Sequence, residues 1–498
     1  MPLARLHSRG QRGMDAYEVV VEVHLAGGLP KFTISGLPAT AVREGGERVR
    51  AALQTLGSPL PAKRVTVHLG PADIPKEGGR FDLPIALGVL KANEERSWNT
   101  DQIEFIGELA LNGELRPVKG ALPAVLAARD AARSIVIPAA NASEARLVND
   151  AGIYIADSLA EVVAHLDGSL KLAPLDPAPA VAAVSNDLRL DDVRGQAEAK
   201  RALIIAAAGG HNLLLVGPSG AGKSMLAQRL PGLLPPLALE EMLSVASIAS
   251  IAARPIAEIA AAKRPFRAPH HSTSAVTLVG GGGRPRPGEI SLAHLGVLFL
   301  DELPEFQRSA LEALREPLES GTITVSRAAE TSEFPAAFQL VAAMNPCPCG
   351  YLGDSSGRRN CPETRVDQYR SRLSGPLLDR FDLQVGMSRV PLTQVTTEFS
   401  DDNSNEAASA VASAREQQLA RGRLLNARLG DRQLWRDIPL SSEARKLLIQ
   451  ASERWRLSVR SCTRILKVAR TIADLEAADD VHLPHVAEAI QLRCGNLL

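Results

Sequence analysis

Gly217-Pro218-Ser219-Gly220-Ala221-Gly222-Lys223-Ser224 sets glycines, a lysine and a hydroxyl at the spacing that wraps a polyphosphate. Glycines let backbone N–H groups close around phosphate oxygens, and the N-terminus of a following helix adds positive potential. Lys223 then reaches the β- and γ-phosphates, and Ser224 supplies a hydroxyl to Mg2+. An apolar strand-like run, 212–216, leads in and a helical run, 225–230, follows, which sets the motif apart from a chance glycine-rich turn. The chemistry is binding of ATP or GTP.

A nucleotide hydrolase needs a second half, a buried strand ending in acid. Val297-Leu-Phe-Leu-Asp301-Glu302 supplies one. Asp301 is expected in the magnesium shell, and Glu302 as the group that orients and polarises the attacking water. A third apolar run, 339–344, ends at Asn345, placed to position the same water. Arg380, in Leu-Asp379-Arg380-Phe-Asp382, reads either as a structural ion pair or, after the preceding motifs, as an arginine finger for the nucleotide of a neighbouring subunit. Arg460 and Arg464 stand at i, i+4 beside an apolar stripe, which suits a lid touching the γ-phosphate, with Arg460 preferred. Cys347, Cys349 and Cys361 cluster like a reduced metal site. Three sulfurs are one short of the four ligands of a structural zinc, which favours reduced structural thiols over Zn2+.

The elements that must hold these residues follow from periodicity. Residues 172–186, LAPLDPAPAVAAVSN, form a Pro/Ala stretch suited to a semi-rigid linker. Before it, residues 1–171 alternate strand-like runs (17–23, 65–69, 135–137) with helical patterns (40–56, 84–92), an α/β layer structure. After it, residues 187–395 alternate buried strands with helices, as in a parallel-sheet nucleotide domain. A polar, acidic stretch at 396–407 opens a helical domain, 396–498.

Charge and composition set outer bounds. The 498 residues carry 56 Lys+Arg against 56 Asp+Glu, with 45% hydrophobic residues, which excludes a disordered chain. The neutral sum hides segregation: residues 411–470 hold 14 basic and 5 acidic residues, and 263–288 hold five basic and no acidic ones. A polyanionic partner is therefore compatible with a net charge of zero. Five cysteines, no apolar stretch long enough for a bilayer and no leader-like N-terminus point to a cytoplasmic protein without a membrane partner.

These motifs in this order, with Asp192-Val-Arg-Gly-Gln196, Arg264-Pro-Phe-Arg-Ala-Pro-His-His271 and Pro287-Gly-Glu-Ile-Ser-Leu-Ala-His294, resemble the ComM/YifB family of magnesium-chelatase-like AAA+ ATPases over nearly the whole chain. The resemblance implies a homo-hexameric ring that uses ATP and Mg2+, binds single-stranded and branched or duplex DNA, and promotes branch migration during integration of transforming DNA. In the related MCM helicases, loops at the places of 263–288 and 321–334 line a central pore. On that likeness Arg284, Arg286 and Arg327 are expected on DNA phosphates, with ordinary solvated loops as the alternative. The four-glycine run 280–283 suits a mobile loop, and 321–334 reads as a hairpin.

Residues 71–82 and 111–122 resemble the Lon protease catalytic domain (S5-type). There a serine and a lysine do the chemistry; here Arg80 and Leu122 stand in their places, which implies an inactive Lon-like N-terminal domain. The family's pattern also has a further cysteine about where Arg359 stands. A DNA motor is thus the leading reading and an ATP-driven remodeller of a protein partner the alternative; a protease is disfavoured.

Overall fold

The computed structural model describes residues 3–176, 188–282, 285–327, 330–352, 361–390, 403–430, 433–435 and 438–494. Most of the 172–186 linker, the start of the acidic stretch at 396–407, Arg284 and Arg359 lie outside these. Two compact units are present. One holds Met1–Ala182, Ala238–Ala261 and Ala328–Phe334; the other holds Ala183–Leu237, Ala262–Arg327 and Pro335–Leu498.

The first unit is built on a seven-stranded mixed sheet. Its strands are β1 (Leu3–Arg9), β2 (Glu18–Ala26), β3 (Lys31–Ser35), β4 (Arg64–Gly70) and β5 (Ile103–Phe105), followed, after a short ribbon of β6 (Glu108–Leu109) and β7 (Leu115–Arg116), by β8 (Ser134–Pro138) and β9 (Ile153–Ala156). The order is β3-β4-β2-β1-β5-β8-β9. In β4 every second side chain (Val65, Val67, Leu69) is buried, the period-2 signature of a sheet with one covered face. Helices Thr40–Thr55 and Asp82–Asn93 belong to the same core.

Helix Leu239–Ile251 sits within the sequence of the expected nucleotide domain, yet it packs in the first unit. Its Ala246 and Ala249 share a core with Leu122, Val125 and Ile135. The helix is apolar along most of its length, so a single-domain reading of 187–395 gave no sign that its buried face belongs to another core.

The second unit is built on a five-stranded sheet, β10 (Leu213–Val216), β11 (Phe266–Arg267), β12 (Val297–Leu300), β15 (Gln339–Met344) and β16 (Leu383–Gly386), all parallel in the order β11-β12-β15-β10-β16. Strand β13 (Thr322–Arg327) belongs to this unit, and β14 (Glu330–Pro335), which follows it in the chain where the hairpin was expected, belongs up to Phe334 to the first. β10, β12 and β15 are buried at every position, as strands covered on both faces must be.

The C-terminal part of this unit is helical: Asn403–Gly422, Ser442–Arg454, Val459–Leu475 and Leu483–Cys494. Ser458 caps the third of these by accepting from Ser461 N, and Ile465, Leu466, Val468, Ala469 and Ile472 bury its inner stripe in the same core as β10 and β16. No described helix is long and apolar enough to cross a membrane.

Two local expectations are corrected. The helix after the phosphate loop spans Lys223–Ala227 and a new one starts at Leu230–Leu233, because Pro231 has no N–H to return to Ala227. Residues 263–288 are not a plain loop: they contain β11, helix Ala275–Val279 and a bridge between Gly280 and Pro287. A side chain at Gly280 would meet Arg286 O at 2.1 Å, so this glycine closes the bridge.

Candidate nucleotide-binding site

Parallel strands end on one edge of their sheet, and here the chemistry gathers at that edge. The phosphate loop follows β10, Asp301-Glu302 follows β12 and Asn345 follows β15, the strand between them. The register pairs Val216 with Met344, so β10 and β15 end level, and Leu300 with Ala342, so β12 ends two residues earlier and Glu302 comes abreast of their ends. A cavity of about 270 Å3 opens there, lined by residues 219–225 with Asp301, Glu302, Met344 and Asn345. It is at the carboxyl end of the sheet, where ligands of open α/β sheets bind.

Gly220 and Gly222 have φ of +81° and +90° and face open space, so the loop presents backbone to the cavity. Gly217, by contrast, is packed against Met387 O, and its absent side chain allows the close approach of backbone to backbone. Lys223 Nζ donates to Gly217 O (2.7 Å), Pro218 O (3.0 Å) and Asn345 Oδ1 (3.0 Å). Burial pushes its ammonium below the usual lysine range, against Asp301 and Glu302, which raise it. Ser224 Oγ donates to Asp301 Oδ2 at 2.5 Å. A hydroxyl and a carboxylate in contact beside a phosphate cradle fit the donor set of a hard, oxygen-seeking cation such as Mg2+.

Glu302 takes a left-handed backbone (φ +53°), its N–H donating to Asp301 Oδ1 at 2.9 Å, and its Oε2 lies 2.9 Å from His271 Nδ1. Gln196 Nε2 donates to Ala221 O, bracing the phosphate loop. Neither His271 nor Gln196 carries a role on sequence grounds; each stood inside a quoted motif, and only the packing shows what it touches.

Arg380 and Arg460 meet elsewhere. Among the described residues lining the phosphate-loop cavity neither appears; both pair with Glu319, Arg380 Nη2 at 2.5 Å and Arg460 Nη2 at 3.9 Å. Arg380 is only 6% exposed, and its Nε has no hydrogen-bond partner among the described residues. Burial lowers its pKa, Glu319 opposes this, and Arg315, Arg460 and Arg464 add like-charge repulsion. Arg464, expected with Arg460 at the lid, has its Nη1 bonded to Asp382 Oδ1 and Arg380 O, because the helix turns that residue inward. Glu319, which holds the arginine pair, had no signal in the sequence.

Of the proposed DNA contacts, Arg286 is exposed, Arg327 ends β13 and Arg284 is outside the described residues. Two of the five basic residues of 263–288 are structural. Arg264 donates to Pro235 O and Leu295 O, and Arg267 pairs bidentately with Glu289.

The sulfurs of Cys347, Cys349 and Cys361 lie within 4.8 Å of one another, Cys347 and Cys361 buried, and Leu352 N donates to Cys347 Sγ. In the N-terminal unit Arg80 and Leu122 are both buried. The Arg80 guanidinium, pushed down to about 10 by burial, donates to the carbonyls of Lys119 and Arg9.

A central strand feeding a phosphate loop, flanked by strands ending in Asp-Glu and Asn, with a helical C-terminal part packed on the same core, defines an AAA+ P-loop protein. The comparisons narrow the class. Residues 189–395 match the family described as magnesium chelatase, subunit ChlI, residues 21–141 match subunit ChlI of Mg-chelatase, and residues 401–493 match its C-terminal region. The chain is 48% identical to Competence protein ComM of Haemophilus influenzae, covering 99% of this chain and 98% of that one. It is 46% identical to the uncharacterized protein YifB of Salmonella typhimurium, over 99% and 97%. A more distant match, 25% identical over 41% of this chain and 25% of the other, is the DNA replication licensing factor Mcm6 of Drosophila melanogaster. The chain belongs to the ComM/YifB family of magnesium-chelatase-like AAA+ ATPases.

Proposed function

We propose that the protein is an ATP-hydrolysing DNA translocase that works as a homo-hexamer and moves branched DNA, as in branch migration when transforming DNA is integrated. The observation that carries this is the split of the machinery. Lys223, Ser224, Asp301, Glu302 and Asn345 share one cavity, while Arg380 and Arg460 are gathered at Glu319 outside it. Arginines that do not line their own nucleotide cavity suit a site completed by the next copy, which is how a ring couples hydrolysis to motion.

The residues divide the work as follows. The loop 217–224 binds the phosphates, with Lys223 giving up Asn345 Oδ1 and two carbonyls for phosphate oxygens. Mg2+, held by Ser224 and Asp301, would neutralise phosphate charge. Glu302 orients water for in-line attack and accepts its proton, and Asn345 fixes that water. Arg380 and Arg460, offered by the neighbour, stabilise the charge that develops on the terminal phosphate.

The DNA part is supported by the names of two relatives, a competence protein and a replication licensing factor, and by the exposed Arg286. Arg284, Arg286 and Arg327 are its proposed phosphate contacts. ATP hydrolysis measured with and without single-stranded, duplex and branched DNA tests it; a rate that ignores all three overturns it. The three magnesium-chelatase matches support the second reading, a remodeller of a protein partner, for which the rate ignores DNA and rises with that partner. The thiol cluster enters as reduced structural cysteines in a cytoplasmic protein, since three sulfurs are one short of a structural zinc's set. The N-terminal unit is read as an inactive Lon-like domain.

A further inference from the structure

One corner of the first unit carries a side chain for which the fold has no use. β2 and β3 flank β4, so the link Gly27-Gly28-Leu29-Pro30 crosses the end of β4, where Lys63 and Arg64 lead into the strand. The register sets Arg64 beside Lys31 on one side and Ala26 on the other, at the spacing of neighbouring strands, about 5 Å. Leu29 is 89% exposed, more than any other large apolar side chain among the described residues, and the core of the unit does not include it. A side chain added at Gly27 or Gly28 would meet nothing within 4 Å. Gly28 holds φ +129°, so glycine is required there by the backbone and not by packing. The loop stands off the sheet with its leucine bare.

The charge around this leucine differs from that of the rest of the unit. Arg5, Arg9, Arg48, Arg96 and Arg133 are each paired with a carboxylate. Lys31, Lys63 and Arg64 are exposed, and among the described residues their side chains have no hydrogen-bond or ion-pair partner. Residues 23–43 and 48–72, which build the corner, contain no Asp or Glu. Three unpaired cations on adjacent strand ends repel one another and attract a polyanion.

The leucine narrows the choice of polyanion. Phosphates line both lips of the minor groove of a duplex, and proteins that bind there set cations on them and press an apolar wedge between base steps. An anionic membrane also takes cations and apolar groups, but one leucine is far less than a single myristoyl chain, which itself binds only marginally.

We propose that the corner formed by Leu29, Lys31, Lys63 and Arg64 is a contact for duplex DNA, in which the three cations hold phosphates and Leu29 is the wedge against the bases. This rests on the DNA reading above and gives the N-terminal unit a part in it.

The test is fluorescence anisotropy of a labelled duplex titrated with the full chain over a range of salt concentrations. Each phosphate neutralised contributes about 0.9 to the slope of log affinity against log salt, so Lys31→Gln, Lys63→Gln and Arg64→Gln combined should flatten it by about 2.7. Leu29→Ala should weaken binding about tenfold and leave the slope as it was. A fluorescent base analogue, quenched by stacking, should brighten in the duplex with wild type and Leu29→Met and stay dark with Leu29→Ala. The four side chains are exposed, and each variant should match wild type in DNA-free ATP hydrolysis and in sedimentation. A triple variant with wild-type affinity and slope overturns the corner while the DNA reading stands, as does a wild-type chain that binds single-stranded but not duplex DNA. Unchanged affinity or undiminished brightening in Leu29→Ala overturns the wedge. A wild-type chain that binds no DNA at all overturns the DNA reading and this inference with it. Binding to phosphatidylserine vesicles in place of DNA, lost in the triple variant, makes the corner a membrane contact, and a smaller particle in sedimentation makes it an interface between copies; either overturns the proposal.

Discussion

Ser224 Oγ and Asp301 Oδ2 stand 2.5 Å apart although they follow strands that do not touch, β10 and β12, with β15 between them. The contact is made over the end of β15, where Asn345 reaches Lys223 from the same edge. Two hydrogen bonds thus join all three strand ends.

Lys223 is the cation of that edge, buried and held by two carbonyls and Asn345 Oδ1. Lys223→Ala removes charge-assisted bonds to phosphate, each worth about 1.5–3 kcal/mol, and should weaken ATP binding about 10- to 100-fold. Titration with a fluorescent ATP analogue reads it; unchanged affinity would mean the phosphates lie elsewhere.

Among the described residues Glu302 lines the cavity without a hydrogen bond to the phosphate loop, so its loss should separate binding from turnover. Glu302→Gln keeps the shape and removes the base, and should lower kcat about 100-fold or more while ATP affinity stays near wild type. Paired binding and turnover measurements on one preparation check both halves.

How much of this was readable before folding depends on where each signal resides. The phosphate loop, Asp301 and Asn345 announce themselves because each ends an apolar run, and a run of buried strand is a local property. Their convergence also follows, since parallel strands ending in chemistry can only meet at one edge. Glu319 was silent: it is an acid on a short polar helix, and its two arginines come from residues 380 and 460. His271 was visible as a letter within a motif but not as a partner of Glu302, because the β11–β12 register is fixed by tertiary pairing. The partner of Arg464 was hidden for the same reason. Spacing put that arginine on a face with Arg460, and the packing of helix Val459–Leu475 turned it onto Asp382.

Asp382 gives a prediction in pH. Burial pushes its carboxyl up, but His211 and Arg464 together hold it well below the usual carboxylate range. A folded-state pKa below the unfolded value of about 3.9 contributes stability that is present above that pH and lost as pH falls beneath it. Asp382→Asn should cost about 3–5 kcal/mol at neutral pH, because Arg464 loses its buried partner, and should flatten the acid limb below about pH 4. Urea unfolding of both proteins from pH 3 to 7 checks the sign; parallel profiles would show that Asp382 is not the group responsible.

Arg380 decides whether the nucleotide site is shared. Its guanidinium is held by Glu319 beside Arg460, and neither arginine lines the phosphate-loop cavity of its own chain. If the pair serves the neighbour, Arg380→Ala should retain ATP binding and lose hydrolysis by about 1,000-fold. Mixing it into wild-type protein should then depress the rate by more than its share, because each variant copy silences a site on a normal one. Arg380 is buried, so a lost rate could arise from local unfolding. Arg460, 62% exposed in its side chain, has no such burden, and Arg460→Ala should give the same pattern in milder form. Rates that fall only in proportion to the fraction of variant in the mixture would place each arginine at its own nucleotide, and the composite site would be wrong.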